Sequence, residues 1–329
     1  MKHSPYVPNH LVPAQIASRL ARMQKLVVPH APPPDTRVDR YLAIRFPEHS
    51  RTFFGALARQ GRVLANNRSV PPRYRVKQGD TLAFWAAAVQ PPRPTPEPIP
   101  LAILYEDDFL MAVNKPPGMV VHPAKGHWSG TIVNAILYHC GALPGEEGRP
   151  GIVHRLDLDT SGVLLVAKDE TTLPALQRQF ERRQVEKTYL AIVHVLLDRD
   201  EGRIDLPLGR SPRDRKKVAV RRDAKGRPAQ SSYEVVERLP GFTLVAVRPR
   251  TGRTHQIRVH LAAIGHPIVG DKDYTPTGFE SRVSSLASKM ARQALHAWKL
   301  AFTHPKTKQP IAVEAPLPDD METFLKQVR

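Results

Sequence analysis

Short apolar runs separated by polar clusters mark out most of the chain's elements. Val163-Leu164-Leu165-Val166-Ala167 is a continuous apolar run behind Gly162, the pattern of a buried strand. Leu110 to Val113, Thr188 to Val193, Phe242 to Val247 and the alternating stretch Leu295 to Phe302 predict further strands, while Leu173, Leu176 and Phe180 recur at helical spacing. Towards the N-terminus, Val38, Tyr41 and Leu42 mark an amphipathic turn and Arg51 to Arg59 a helix. Gly61 to Ala65 predicts a strand entering the turn Asn66-Asn67, and Lys77-Gln78-Gly79-Asp80 a turn before Thr81 to Phe84. Ile16, Leu20, Met23 and Val27 also fall at helical spacing, beside Arg19, Arg22 and Lys25. Strands and helices mix without a regular βαβ rhythm, which predicts an α+β fold.

Prolines divide this pattern. Residues 90 to 100 alternate Pro with other residues and join neither a helix nor a central strand, so they read as a stiff spacer. The expected organisation is a basic, Pro-rich extension over 1–34, a small domain over 35–88, a linker over 89–100 and a large domain over 101–329. Charge sharpens it. The chain carries a net +18; residues 1–95 hold 15 basic and 4 acidic residues, the remainder 34 and 27. An excess concentrated in the small domain suits a polyanion-binding anchor beside a more neutral enzyme.

Cys140 is the only cysteine, and His255 and His260 stand five apart, off a common helical face. A disulfide framework and a Cys-based zinc site are thereby excluded, and chemistry without metal or cofactor in a reducing compartment is expected. No apolar run approaches the roughly 20 residues of a membrane span. Residues 1–34 lack any acidic residue; an RNA-touching arm and an organelle transit segment both fit, with the cytoplasm the expected location.

The richest chemistry lies in Gly151-Ile152-Val153-His154-Arg155-Leu156-Asp157-Leu158-Asp159-Thr160-Ser161-Gly162, directly before the buried run. A cation, two carboxylates and two hydroxyls at a strand's edge are poor packing material and good site material. Either carboxylate is a candidate actor on residue types alone. The His-Arg-Leu-Asp order is not the kinase loop His-Arg-Asp, and neither Asp-Phe-Gly nor Gly-x-Gly-x-x-Gly occurs.

This segment resembles the signature of the RluA family of RNA pseudouridine synthases. Three further stretches agree: Asn114-Lys115-Pro116-Pro117-Gly118, Glu186-Lys187-Thr188-Tyr189-Leu190-Ala191, and Arg250 to Leu261 with Gly265-His266-Pro267 and Gly270-Asp271 behind. The resemblance implies a mixed, largely antiparallel sheet flanked by helices. It also implies Asp157 as nucleophile, Arg258 as its paired cation and Tyr189 beside the target uridine. Arg155, Leu156, Thr160, Thr254 and Ile257 follow as substrate contacts, with Thr160, Ser161 and Thr254 orienting Asp157 or meeting phosphate, and Asp159 as a supporting loop residue. Attack on uracil carbon 6, attack on ribose carbon 1′ and a glycal route all remain open. Locally, Thr254 is expected to cap a helix whose buried face is Ile257, Leu261 and Ile264, ending at Gly265.

The small domain resembles the S-four type of RNA-binding domain, although Asn67 stands where that type commonly has Gly. Its expected RNA contacts are Arg37, Arg40, Arg51, Arg59, Arg62 and Lys77. The dense charge run Arg210 to Lys225 reads as a solvated loop or a phosphate grip, and Arg215, Lys216 and Lys217 are its candidates. Together these readings predict a monomeric RNA uridine isomerase acting on large-subunit ribosomal RNA, with transfer RNA the second choice. A noncatalytic ribosome assembly factor is the alternative from another class, disfavoured because Asp157, Tyr189 and Arg258 are all present.

Overall fold

A computed structural model describes residues 23–85, 93–124, 127–146, 148–214, 217–276, 279 and 286–329. The chain forms two compact units, dividing between Gln90 and Pro91.

In the first unit, strands β1 (Gln24–Val27), β2 (Val63–Ala65), β3 (Arg68–Ser69) and β4 (Thr81–Phe84) form an antiparallel sheet ordered β1-β4-β2-β3. Helices α1 (Val38–Arg45) and α2 (Arg51–Arg59) pack on it through Leu42 and Phe54, both fully buried. The Ser50 hydroxyl accepts the Phe53 N–H and starts α2. Asn66 and Asn67 both take positive φ, 52° and 65°, the two-residue turn that matches hairpin twist. The helical stripe expected over 16–27 is corrected where the chain is described. Residues 24–27 pair with β4, Val27 is 61% exposed, and Val28 is the buried residue. The two spaced residues Met23 and Val27 offered a helix little burial, whereas β4 offered a backbone ladder.

The second unit is built on a nine-stranded sheet. Its strands are β5 (Ile103–Glu106), β6 (Leu110–Lys115), β7 (Ser161–Ala167), β8 (Glu186–His194), β9 (Glu201–Asp205), β12 (Gln230–Leu239), β13 (Phe242–Pro249), β14 (Leu295–Thr303) and β15 (Pro310–Glu314). The order is β5-β6-β7-β14-β8-β13-β12-β9, with β15 also paired to β14. A separate hairpin joins β10 (Leu208–Arg210) to β11 (Val218–Val220). Every pairing is antiparallel except β7 with β14. The sheet is thus mixed and largely antiparallel, with α3 (Ile132–Cys140), α4 (Thr172–Glu181), α5 (Gln256–Ala263) and α6 (Asp319–Val328) around it.

Strand periodicity explains the layers. Met111, Val113, Leu164 and Val166 face α3 through Ile132 and Ile136, while Leu110, Ala112, Val163 and Leu165 face α4 through Leu173 and Leu176. With both faces covered, all seven residues of β7 are buried, which is why it reads as an unbroken apolar run. The parallel pairing demands Gly162. At φ 112°, a Cβ there would lie 2.2 Å from the Ala297 carbonyl oxygen. The end of the proline segment belongs to this unit: Asn134 donates to the Thr95 carbonyl at 2.7 Å, and the Glu97 carboxylate accepts the Gly130 N–H at 3.0 Å.

Candidate active site

A cavity of about 130 Å³ opens where the loop before β7 meets β8 and the turn between β13 and α5. Arg155, Leu156, Asp157, Thr160, Tyr189, Thr254, Ile257 and Arg258 all line it, so every expected catalytic and substrate-contact residue converges on one place. Sequence distance is closed by the sheet: Ser161 is in register with His296 of β14, and Ala297 of β14 with Tyr189 of β8.

Two buried cations hold the loop that carries Asp157. The Lys115 amine, wholly buried, donates to the Pro116, Met119 and Leu158 carbonyls, each at 2.8 Å. Burial pushes it down to about 7, with Asp159 and Asp157 opposing and Arg292 reinforcing; three carbonyl acceptors demand the three N–H groups of the ammonium form. Arg292 donates to the Asp159 carbonyl at 2.9 Å and is itself held by Asp320 of α6 through two 2.7 Å bonds. Within the loop, Thr160 N–H donates to the Asp157 carbonyl at 3.1 Å. These contacts fix the backbone and leave the Asp157 carboxylate free to face the cavity.

That carboxylate lies 3.8 Å from Nη1 of Arg258 and 3.9 Å from Nε2 of His255. The guanidinium is oriented elsewhere: it donates to Asp271 through Nε and Nη2, both at 2.7 Å, and to Asp273 at 3.0 Å. Burial alone would lower the Arg258 value; the bonds to Asp271 and the charge of Asp157 more than reverse that and keep it charged. Tyr189 is pushed up, first by burial and then by the neighbouring Asp157 charge, so its phenol keeps its proton. Burial lowers Lys187, which also lines the cavity.

The expected cap is corrected. His255, not Thr254, occupies the position before α5, in the left-handed region at φ 53°, and its side chain caps nothing; Thr254 is exposed. Gln256 does the ordering instead. Its buried amide accepts from Thr251 and from the Arg253 N–H, and donates to Gln230 and Ser231. The other hydroxyl expectations change too. Ser161 bonds His296 at 2.9 Å, and the Thr160 hydroxyl meets the Gln293 amide at 3.5 Å, so neither orients the Asp157 carboxylate.

His154 is structural. Its Nε2 accepts the Leu165 N–H at 2.9 Å, its ring stacks on Phe180, and burial holds it down at about 3. Glu106, His139 and Cys140 bring ligand atoms within 4.8 Å of one another, but Lys168 already bonds Glu106 at 2.8 Å. Of the expected RNA contacts, Arg40, Arg59 and Lys77 are exposed and Arg62 is half-buried. Arg37 and Arg51 share the buried Asp39 at 2.8 and 3.4 Å. Lys217 donates to the Asp273 carbonyl at 2.8 Å, and Arg215 and Lys216 lie outside the described residues.

The α+β unit thus brings a carboxylate, an arginine and a tyrosine from distant parts of the sequence to one cavity. The sequence model of the RNA pseudouridylate synthase family matches residues 109–263. The chain belongs to the RluA-type RNA pseudouridine synthases, isomerases whose substrate is RNA. It is 47% identical over 309 residues to an RNA pseudouridine synthase of Chlorobaculum parvum, covering 89% of this chain and 94% of that one. It is 41% identical over 294 residues to ribosomal large subunit pseudouridine synthase D of Nitrosomonas europaea, covering 89% and 84%. Among solved structures, human RNA pseudouridylate synthase domain containing 4 superposes with a TM-score of 0.55 at 27% identity, covering 69% of this chain and 92% of that one.

Proposed function

We propose that Asp157 is the nucleophile of a uridine-to-pseudouridine isomerisation in large-subunit ribosomal RNA, with Arg258 holding it ionised and Tyr189 beside the base. The single observation that carries this is the carboxylate's setting: it faces the cavity 3.8 Å from a buried guanidinium that two other aspartates keep oriented. Closing a pocket over a carboxylate favours its neutral form; a fixed cation counters that. The reaction breaks the bond from N1 to ribose carbon 1′, turns the freed uracil and joins carbon 5 to carbon 1′. Carbon 5 gives up its proton and N1 gains one, so no outside atom or electron is consumed. A pocket that retains the loose base supplies the orientation the second bond needs. Tyr189, protonated and beside Asp157, offers a ring to stack on uracil and a hydroxyl to move the proton.

Arg155 is exposed at the cavity mouth and suits the space left by an extruded nucleotide. The first unit, with Arg40, Arg51 and Arg59 on α1 and α2 and Arg37 just before α1, acts in this reading as the S-four-like RNA anchor, and Lys217 lies near enough to Arg258 through Asp273 to grip phosphate beside the site. The ribosomal target rests on relatives named for the large ribosomal subunit. Carbodiimide mapping of pseudouridine across all RNA, from cells with and without the protein, tests it. Loss confined to large-subunit ribosomal RNA is expected; loss in transfer RNA alone would overturn that target.

A further inference from the structure

His255 takes a left-handed backbone conformation at the mouth of α5. A non-glycine residue at φ 53° occupies a disfavoured backbone region, and the side chain neither caps α5 nor joins the apolar core. It lines the active cavity instead.

A hydrogen-bond chain stands behind the ring. The Val218 N–H donates to the Tyr274 oxygen at 3.0 Å. Nδ1 of His255 lies 2.7 Å from that oxygen and can accept the Tyr274 O–H. In that tautomer the ring's proton sits on Nε2. Burial, reinforced by Arg258 and opposed by Asp157, Asp273 and Asp271, holds the imidazole below its ordinary value and so neutral at pH 7. Nε2 points towards Asp157 but at 3.9 Å, beyond hydrogen-bond reach. Among the described residues it has no hydrogen-bond acceptor. A fixed N–H, oriented from behind by a tyrosine and aimed into a cavity, is a donor waiting for a ligand.

We propose that the Nε2–H of His255 donates to a ring carbonyl oxygen of the target uracil, making His255 a base-reading residue and Tyr274 its positioning residue. This rests on the reading of Asp157 as the nucleophile of that same cavity. A neutral N–H suits the task, since it can meet either uracil carbonyl, and at carbon 4 it offers no acceptor for the exocyclic amine of cytosine. The left-handed turn is explained as well: it swings the ring from the start of α5 towards Asp157.

The test uses the full chain and a large-subunit ribosomal RNA transcript, sparsely substituted with either 4-thiouridine or 2-thiouridine, because sulfur accepts hydrogen bonds poorly. His255→Asn keeps a residue that tolerates positive φ while drawing the donor back, and Tyr274→Phe releases the tautomer. The wild type is expected to convert one thio-substituted uridine about tenfold more slowly than uridine, the affected analogue identifying the carbonyl. His255→Asn and Tyr274→Phe are expected to be slower on uridine and to lose that discrimination. Wild-type rates in His255→Asn, or discrimination unchanged in both variants, overturns the proposal; in the second case the donor serves Asp157. Loss of all turnover in Asp157→Asn reports separately on the nucleophile.

Discussion

Arg258 binds Asp271 more closely than it binds Asp157: two bonds of 2.7 Å hold it to the first, and 3.8 Å separates it from the second. Asp271 is fully buried and also accepts the Asp273 and Tyr274 N–H groups. It fixes the plane of the guanidinium, so that the remaining nitrogen faces the proposed nucleophile. Asp271→Asn is expected to lower turnover at least a hundredfold and to destabilise the fold by up to about 3–5 kcal/mol, the cost of removing one partner of a buried pair, with Asp273 left to offset part of it. Arg258→Lys, which keeps the charge and loses the planar fork, is expected to be similarly impaired. Turnover by tritium release and a denaturant titration check both; near-normal activity in either removes this orientation from the account.

Lys115 makes the companion prediction for the loop. Lys115→Met fills the same space and leaves three carbonyls without their donor, at about 1–3 kcal/mol for each that stays buried. Turnover is expected to fall with RNA affinity nearly unchanged, because the change displaces Asp157 and touches no exposed cation. A filter-binding isotherm beside the rate measurement separates the two.

Gly162→Ala is expected to prevent the parallel pairing of β7 with β14. The added carbon meets the Ala297 backbone, its carbonyl oxygen at 2.2 Å and its nitrogen at 2.7 Å, atoms of the paired strand and not of a side chain that could swing aside. Insoluble or molten protein by near-ultraviolet circular dichroism is the anticipated outcome; a native spectrum would mean the two strands can part.

The first unit carries a pH dependence of defined sign. Asp80 accepts from Asn66, Tyr74 and the Lys77 N–H at 2.8, 2.9 and 2.9 Å. Burial pushes its carboxyl up, but these donors outweigh it and the value ends below the ordinary one. Its folded value lies under the unfolded one of about 3.9, so the stabilisation is complete above that pH and is lost as pH falls through the folded value. Hydrogen-exchange protection over residues 63–84 of the full chain, taken relative to the intrinsic exchange rate at each pH, is expected to fall on acidification, and Asp80→Asn to flatten that response.

The sequence made the strands and the reactive loop legible because their causes are local. Two-sided burial writes β7 as an unbroken apolar run, and the polar cluster before it has no packing explanation. Arg258 was visible only through its motif. Its real anchors, Asp271 and Asp273, lie across a turn whose geometry no periodicity records. Lys115 sat in a recognised motif, yet nothing in residue type says that a lysine will be wholly buried among three carbonyls. Thr254 is a good cap by residue type, but the left-handed His255 after it moves the start of α5 beyond its reach. Gly270-Asp271 within the last motif was the one available signal for the missed partner.

Every role proposed for the cavity depends on the Asp157 carboxylate as the reacting group. Asp157→Asn keeps its size and its loop while removing the nucleophile. Single-turnover pseudouridine formation on large-subunit ribosomal RNA, measured with RNA affinity on the same preparation, isolates that role. No detectable product is expected, with affinity within a fewfold of wild type; product at the wild-type rate would remove Asp157 from the reaction.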